Sequence, residues 1–384
     1  MKITSEAKLT TTEAISMIVG HSIGTGIIAV PYLATKNSLW DVLWMVFFAY
    51  CVNVILHLII AELSYNNGGV QLVKSFEGEL FTGKGKKIAS WIIFSVYGLA
   101  IMVGVSGNIN GGAQALQTWF AIPFATAQIL YYLLAGIVVF MGMKAVGIAQ
   151  KYAVILLLCI VGAITLGTFT LPLGLPQAAP AQVNNLLALF SMIVFATSAN
   201  QAVIQAVKGL EGNAKKIRTA IFIGFAISCS FVLLVTATVL FGVKGALSQE
   251  LAYVQLGSNI GGWAKLLAAV FSLLALLTTF WSNTLSLRDV VHEQTGINNR
   301  ICWIVATVPC LLFALFGINS FIILTRIMSG VVVLVSIALV FTYNKSRKKA
   351  GASPICGRLG TIPFQTLMIV STLICAIGAL VPVK

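Results

Sequence analysis

Long apolar runs alternate with short polar connections along the chain. Runs of about 20 apolar residues match the length that a helix needs to cross the hydrocarbon of a bilayer. Eleven such runs lie near residues 12–34, 39–64, 88–116, 122–142, 147–170, 183–208, 217–242, 260–286, 300–317, 321–343 and 362–382. We therefore expect an all-α integral membrane protein of about 11 transmembrane helices, with residues 1–384 forming a single domain.

The composition excludes a soluble globular protein. Hydrophobic residues make up 59% of the chain and charged residues only 9%, whereas soluble domains carry about 25% charged residues. The 7 cysteines lie mostly inside the apolar runs, without the spacing of a disulfide framework or a zinc site. We interpret them as packing residues, and no cofactor is indicated.

The basic residues predict the orientation in the membrane. Most of the 24 Lys and Arg fall on the side of the N-terminus, and positive charge favours the cytoplasmic side. The segments on the other side contain only Lys36, Lys244, Lys265 and Lys384. We expect a cytoplasmic N-terminus, an external C-terminus and a bacterial inner membrane. The cytoplasmic connection 65–87 has apolar residues at helical spacing, which is typical of a surface amphipathic helix, although a solvated loop also fits.

The first span contains an expected break at half depth. Gly20, Gly24 and Gly26 lie within seven residues and weaken the helix, and Pro31 follows. A broken helix frees amides that suit a carboxylate and carbonyls that suit an ammonium group or a cation. Alternatively, the small residues only let two helices approach closely. The candidate substrate-binding residues of this segment are Ser22, Gly24, Thr25 and Gly26.

The sixth span has a weaker break signal at the same depth. Small and polar residues follow one another there, without Gly or Pro. If residues 12–170 and 183–343 are inverted repeats, with 362–382 appended, the first and sixth spans occupy equivalent positions. The candidate substrate-binding residues here are Phe195, Ala196, Thr197, Ser198 and Asn200.

Four stretches resemble known amino acid permeases. Residues 24–31 (GTGIIAVP) are similar to the first-helix signature of the amino acid/auxin and hydroxy/aromatic amino acid permease families, within the amino acid-polyamine-organocation superfamily. Residues 61–69, 207–221 and 271–289 resemble the second helix end, the loop after helix six and the eighth helix of these families. The resemblance implies a leucine-transporter-type fold of five plus five inverted helices with one appended helix, and alternating access around a central site.

The sequence departs from the aromatic permeases in the sixth span. Asn200 stands where those relatives usually have His, and Ile204 where they have Pro. Thr197 and Ala199 replace bulkier residues, which implies a roomier pocket. The substrate class therefore does not follow from the resemblance alone.

Four residues bear on coupling and gating. His21 beside the first break either carries a proton or stays neutral with a carbonyl partner, whereas we interpret His57 as structural. Thr278 and Thr279 match the hydroxyl pair that, in sodium-coupled relatives, joins helix-one carbonyls around Na⁺. Arg326 near the outer end of span ten either reaches out to water or closes an external gate.

The sequence leaves three options for coupling. The coupling ion is H⁺, carried by His21, or Na⁺, held at Thr278 and Thr279, or transport is not tightly coupled to an ion. Some proton-coupled relatives place a lysine deep in helix five, and residues 152–168 contain none.

The expected function is uptake of a neutral amino acid, aromatic and bulky aliphatic ones included, by cation-coupled symport. The alternative is a membrane receptor or sensor that binds an amino acid without moving it. An enzyme is not indicated, since HExxH, a GxSxG motif with a charged partner and paired buried carboxylates are missing. The expected partners are a free amino acid and membrane lipid; neither nucleic acid nor an obligate protein partner is indicated.

Overall fold

Helices account for nearly all of the residues that the structure describes, because inside lipid the backbone amides and carbonyls find partners only within a helix. The computed structural model describes residues 3, 7–81, 83, 85–174, 181–243, 252–317 and 321–383, without the side chains of Thr25 and of residues 321–331. The helices are α1 (Thr11–Ser22), α2 (Thr25–Ala34), α3 (Leu39–Asn66), α4 (Leu72–Glu79), α5 (Lys86–Phe120), α6 (Phe124–Phe140), α7 (Met143–Thr168), α8 (Val183–Ala196), α9 (Asn200–Gly209), α10 (Ala214–Gly242), α11 (Ala252–Ile260), α12 (Gly262–Thr295), α13 (Asn299–Leu315), α14 (Phe321–Ala350) and α15 (Ile362–Gly378).

Each of the eleven predicted spans corresponds to one helix or one pair of helices. Within the described residues, six helical segments are long and apolar enough to cross a membrane, counting α8 with α9 as one, and the bent pair of α1 and α2 makes a seventh. The helices α6, α13 and α15 are apolar but only 17 residues long. All eleven predicted runs are therefore helical, whereas the crossing of the membrane by all of them and the inverted-repeat boundaries stay predictions.

Two short helices lie in the connections. α4 confirms the helical alternative for the connection 65–87, and it buries Leu72, Val73 and Phe76 on one side. α11 was not predicted, because its 9 residues are too few to produce a long apolar run. Gly257 of α11 lies against the Ala264 carbonyl of α12, where a Cβ would come within 2.6 Å of the oxygen.

The first broken helix lies in the middle of the bundle. α1 packs against α7, α9, α10 and α12, and α2 packs against α8 and α10. Buried apolar side chains form two clusters, one containing Met17 and Ile18 and the other Val19 and Ile23. The break between α1 and α2 thus lies where the two clusters meet.

The appended helix α15 packs on α8. Gly378 lies directly against the Leu187 carbonyl, so that no side chain fits between the two backbones. The Ser191 hydroxyl donates to the Cys375 carbonyl over 2.8 Å. α15 is therefore joined to α8 by close backbone packing and by one hydrogen bond.

Candidate functional site

The first predicted break is present. α1 ends at Ser22, α2 begins at Thr25, and the two halves are bent by 53°. The Ile23 amide still donates to the Val19 carbonyl over 2.9 Å, whereas Gly24 is extended and precedes α2 as its N-cap. No side chain caps α2, so amide donors at its start face the break.

The second predicted break is also present. α8 ends at Ala196 and α9 begins at Asn200. The Thr197 amide closes the last turn of α8, and the Ala199 amide donates to Nε2 of His57 over 2.9 Å. No side chain of its own segment caps α9. The interruption occurs although the segment contains neither Gly nor Pro.

Two glycines bring the first break close to its neighbours, Gly26 to the second break and Gly24 to α12. A Cβ at Gly26 would lie 2.7 Å from the Cα of Ala196 and 2.8 Å from its Cβ, and a Cβ at Gly24 would lie 2.7 Å from Oγ1 of Thr279. Cβ atoms in proteins essentially never come within 3.0 Å of another residue. The glycines therefore serve both alternatives considered from the sequence: the helix is broken there, and it also approaches α8 and α12 closely.

The other candidate binding residues have different surroundings. The hydroxyls of Ser22 and Thr197 donate to carbonyls one turn earlier in their own helices, over 2.9 and 2.7 Å. Oδ1 of Asn200 is buried without a hydrogen-bond partner among the described residues. The ring of Phe195 is 61% exposed, so the structure does not bring it into the packed contact between the breaks. The side chain of Thr25 lies outside the described residues.

His21 lies at the first break, as predicted. Its Nδ1 is buried without a hydrogen-bond partner in the part of the chain that the structure describes. The Gln201 side chain lies beside its ring. The His21 carbonyl faces Oγ1 of Thr279 over 3.4 Å. A proton acceptor and a carbonyl oxygen of the same residue therefore border the break.

The predicted threonine pair lies beside the end of α1. The hydroxyl of Thr278 donates to carbonyls one turn earlier in α12 over 3.0 Å, and so does that of Thr279. Both side chains lie against α1, Thr278 at Gly20 and Thr279 at Gly24, and the hydroxyl of Thr279 also lies 3.4 Å from the His21 carbonyl. Both hydroxyls are thus bonded to backbone, and one of them is in position to contribute an oxygen beside the break.

Two buried glutamines were missed by the sequence reasoning. Nε2 of Gln150 donates to the Thr278 carbonyl over 2.7 Å and to Oγ of Ser282 over 3.1 Å, and Nε2 of Gln205 donates to the Ser282 carbonyl over 3.0 Å. Both glutamine oxygens are buried without a partner among the described residues. Gln150 also lies against Gly20, where no Cβ would fit. A polar residue in an apolar run was the only signal for either.

The side chain of Arg326 lies outside the described residues, so its role in closing an external gate stays a prediction. Among the described residues, no group of three or more His, Cys, Asp or Glu is arranged to hold a metal ion.

The first half of the first broken helix and the last half of the second are fastened where α1 begins and α9 ends. Nζ of Lys144 on α7 contacts both carboxylate oxygens of Glu13, at 2.8 and 2.7 Å, and Glu13 is only 5% exposed. The Leu9 amide donates to the Gly209 carbonyl over 2.8 Å, which joins the segment before α1 to the end of α9. The start of α1 is thus held against α7 and α9.

A second ion pair fastens α9 to α12. Nζ of Lys208 lies 3.5 Å from Asp289 and 4.0 Å from Glu293. The Lys208 side chain is only 19% exposed, so water screens this pair less than a surface pair. Opening this end of the bundle requires both ion-pair contacts, that of Lys144 with Glu13 and that of Lys208 with α12, to separate.

We expect Glu13→Gln to loosen the contact between α1 and α7. Glutamine keeps the capping box with Thr10 but removes the charge that attracts Lys144. Since a buried contact of this kind contributes about 1–3 kcal/mol, amides of residues 9–22 should exchange with solvent deuterium roughly tenfold faster. Glu77→Gln, which alters an ion pair within α4, is the matched control. Equal exchange in Glu13→Gln and the wild type would contradict the fastening role.

Comparisons with known proteins identify the fold. No protein-family model matches the chain, and no curated protein matches it. Solved structures do match it, among them the following three. Mhp1, a nucleobase-cation-symport-1 family transporter with bromovinylhydantoin bound, has 14% identity over 98% of this chain and 93% of its own, with a TM-score of 0.67. MhsT in complex with L-phenylalanine has 13% identity over 97% and 99%, with a TM-score of 0.69. The manganese transporter of Eremococcus coleocola, with an aromatic bis-isothiourea substituted compound, has 13% identity over 98% and 89%, with a TM-score of 0.63.

At these identities the likeness concerns the fold. The chain has the all-α membrane fold of leucine-transporter type that the sequence predicts. Its membership in the permease families named above stays a prediction, because no family model matches and the three structures are only 13–14% identical to this chain.

Proposed function

We propose that the protein is a secondary active transporter that takes up a neutral amino acid together with a cation by alternating access. The observation that carries the proposal is the meeting of two interrupted helices at Gly26 and Ala196, in the middle of the bundle. Mhp1 and the Eremococcus coleocola protein are transporters by their descriptions, which supports transport over catalysis.

The helix ends at the breaks supply charge of both signs. The starts of α2 and α9 carry amides without side-chain caps, and such amides bear partial positive charge that attracts a carboxylate. The ends of α1 and α8 carry carbonyls, which attract an ammonium group. An α-amino acid has both groups on one carbon. All candidate binding residues are uncharged, which favours a substrate with a neutral side chain.

An aromatic amino acid is the first substrate to test. MhsT, which shares the fold over 97% of this chain, is described in complex with L-phenylalanine. Thr197 and Ala199, which line the second break, have small side chains, as the sequence comparison with the aromatic permeases indicates. We therefore choose L-phenylalanine as the probe, with L-leucine as a bulky aliphatic comparison.

The coupling ion is Na⁺ or H⁺. Oxygen ligands suit a hard cation such as Na⁺, and the His21 carbonyl and the Thr279 hydroxyl lie 3.4 Å apart. The unpartnered Nδ1 of His21 instead suits a proton. Both options use the same break, so the ion that binds there also biases the substrate-binding conformation.

The proposed setting is a bacterial inner membrane, with the N-terminus in the cytoplasm and lipid around the bundle. The charge distribution supports this orientation, because the basic residues lie mostly on the side of the N-terminus.

The deciding experiment is uptake into proteoliposomes that contain the purified protein. Labelled L-phenylalanine is supplied outside under an inward Na⁺ gradient, an inward H⁺ gradient, or neither. Accumulation above the equilibrium level with one gradient supports the transporter and names the ion. Empty liposomes control for leakage.

The alternative of a membrane receptor or sensor predicts another outcome. Such a protein binds the amino acid and stabilises itself against heat, but no label enters the vesicle beyond the bound amount. Saturable binding with no flux under either gradient would overturn the proposed transport. The same L-phenylalanine thermal-shift assay, in Na⁺ and in K⁺, supplies the binding half of the comparison.

A further inference from the structure

The second break requires an explanation that its own sequence does not provide. Residues 195–200 contain neither Gly nor Pro. In a continuous helix, each amide would donate to the carbonyl four residues earlier. The Ser198 amide would thus bond the Val194 carbonyl, and the Ala199 amide would bond the Phe195 carbonyl.

Asn53 of α3 binds the acceptor of the first of these two hydrogen bonds. Its Nδ2 donates to the Val194 carbonyl over 3.1 Å and to Oγ1 of Thr197 over 2.8 Å. The Ser198 amide donates instead to the Phe195 carbonyl, over 3.1 Å. The acceptor for one helical hydrogen bond is therefore taken by a side chain from another helix.

His57, one turn further along α3, binds the donor of the second hydrogen bond. Its Nε2 accepts from the Ala199 amide over 2.9 Å. Since Nε2 accepts, Nδ1 carries the proton and donates to the Asn53 carbonyl over 2.6 Å. The donor for the next helical hydrogen bond is thus also taken by α3.

The two side chains are rigidly held. Asn53 and His57 are both fully buried. The ring of Phe225 on α10 packs against the imidazole, with ring centroids 4.4 Å apart. The imidazole therefore has a fixed orientation towards the Ala199 amide.

We propose that Asn53 and His57 are positioning residues that keep α8 and α9 interrupted, and so fix the peptide groups of residues 197–200 for the substrate. They act through the backbone of the break and do not touch the substrate. The inference rests on the proposed function for the role of the break, whereas the interruption itself is tested without any substrate.

The test uses hydrogen–deuterium exchange of residues 194–203 in the purified full-length protein. In Asn53→Leu/His57→Leu we expect slower exchange than in the wild type, because α8 and α9 join and the amides of the break gain helical partners. Unchanged or faster exchange overturns the proposal. Exchange can be measured even if the protein transports nothing. A failure of this inference is therefore distinguishable from a failure of the proposed function.

Affinity for L-phenylalanine is the second readout, measured by equilibrium binding and as KM against Vmax for uptake. His57→Leu should weaken binding about tenfold, as expected for loss of one buried hydrogen-bond partner. His57→Gln should retain affinity, because its side-chain oxygen can still accept from the Ala199 amide. Leu58→Ala, a buried neighbour on α3 without a hydrogen bond to the break, should lose stability but keep affinity. Equal affinities in His57→Leu and Leu58→Ala would overturn the positioning role.

If His57→Leu fails to fold, His57→Gln and Asn53→Ala replace it in both measurements, the hydrogen–deuterium exchange and the affinity for L-phenylalanine.

Discussion

Replacing Gly26 by alanine is expected to abolish uptake of the substrate. The added methyl group would lie 2.7 Å from the Cα of Ala196 and 3.1 Å from its backbone nitrogen, so only a backbone shift at the contact between the two breaks can relieve the clash. Overpacking of this kind costs about 1–3 kcal/mol. Here the strain falls on the peptide groups proposed to bind the substrate, so uptake of L-phenylalanine in proteoliposomes should fall below detection.

Gly162→Ala provides the matched control for this substitution. Gly162 lies inside α7, and no atom of another described element lies within 4 Å of the position of an added Cβ. The same methyl group there should leave uptake unchanged. In Gly26→Ala/Ala196→Gly the Cβ of Ala196 is removed but its Cα remains, so we expect partial recovery only. Wild-type uptake by Gly26→Ala would show that the close approach of the two breaks is not required.

Replacing Glu62 by methionine is expected to cause the largest loss of stability. The carboxylate of Glu62 is fully buried and accepts four hydrogen bonds. The four donors are the Tyr343 hydroxyl at 3.3 Å, the Ser353 hydroxyl at 2.6 Å, the Ile355 amide at 3.0 Å and the Cys356 amide at 2.7 Å. Methionine matches the length of glutamate but accepts none of these bonds effectively, so the folded state should lose roughly 3 kcal/mol or more.

The loss should be local to the link between α14 and α15. In Glu62→Met we expect a lower melting temperature and faster cleavage by trypsin at Arg358, next to this link. Glu62→Gln should recover much of the stability, because its oxygen serves the two amides while the two hydroxyls rotate to accept from its NH₂ group. Glu211→Met, which removes a half-exposed ion pair with Lys8, should change stability by less than about 1 kcal/mol. If the two methionine variants melt alike, Glu62 does not hold this link.

The first break illustrates what local sequence reasoning can find. Gly20, Gly24 and Gly26 weaken the helix through their own backbone freedom, so the signal is contained in seven consecutive residues. The structure places the break at residues 23–24, within the predicted segment. The contact of Gly26 with Ala196 was not predictable in the same way, because it joins residues 170 positions apart along the chain.

The second break was predicted from its own residues, but the side chains that bond to it illustrate what local reasoning misses. His57 was interpreted as structural, and Asn53, Gln150 and Gln205 were not singled out. Each is a polar side chain inside an apolar helix, and its partner belongs to another helix. Which carbonyl or amide it meets depends on how the helices are arranged.

The sequence by itself determined the membrane setting, the eleven apolar helices and the first break. These features depend on the cost of unpaired backbone groups in lipid and on the helix propensity of neighbouring residues, and both can be evaluated along the chain. The tertiary structure alone decided that α3 occupies the hydrogen bonds of the second break, and that Glu62 gathers four donors from a distant segment. A buried polar group needs a partner, but only the packing of helices determines which one it finds.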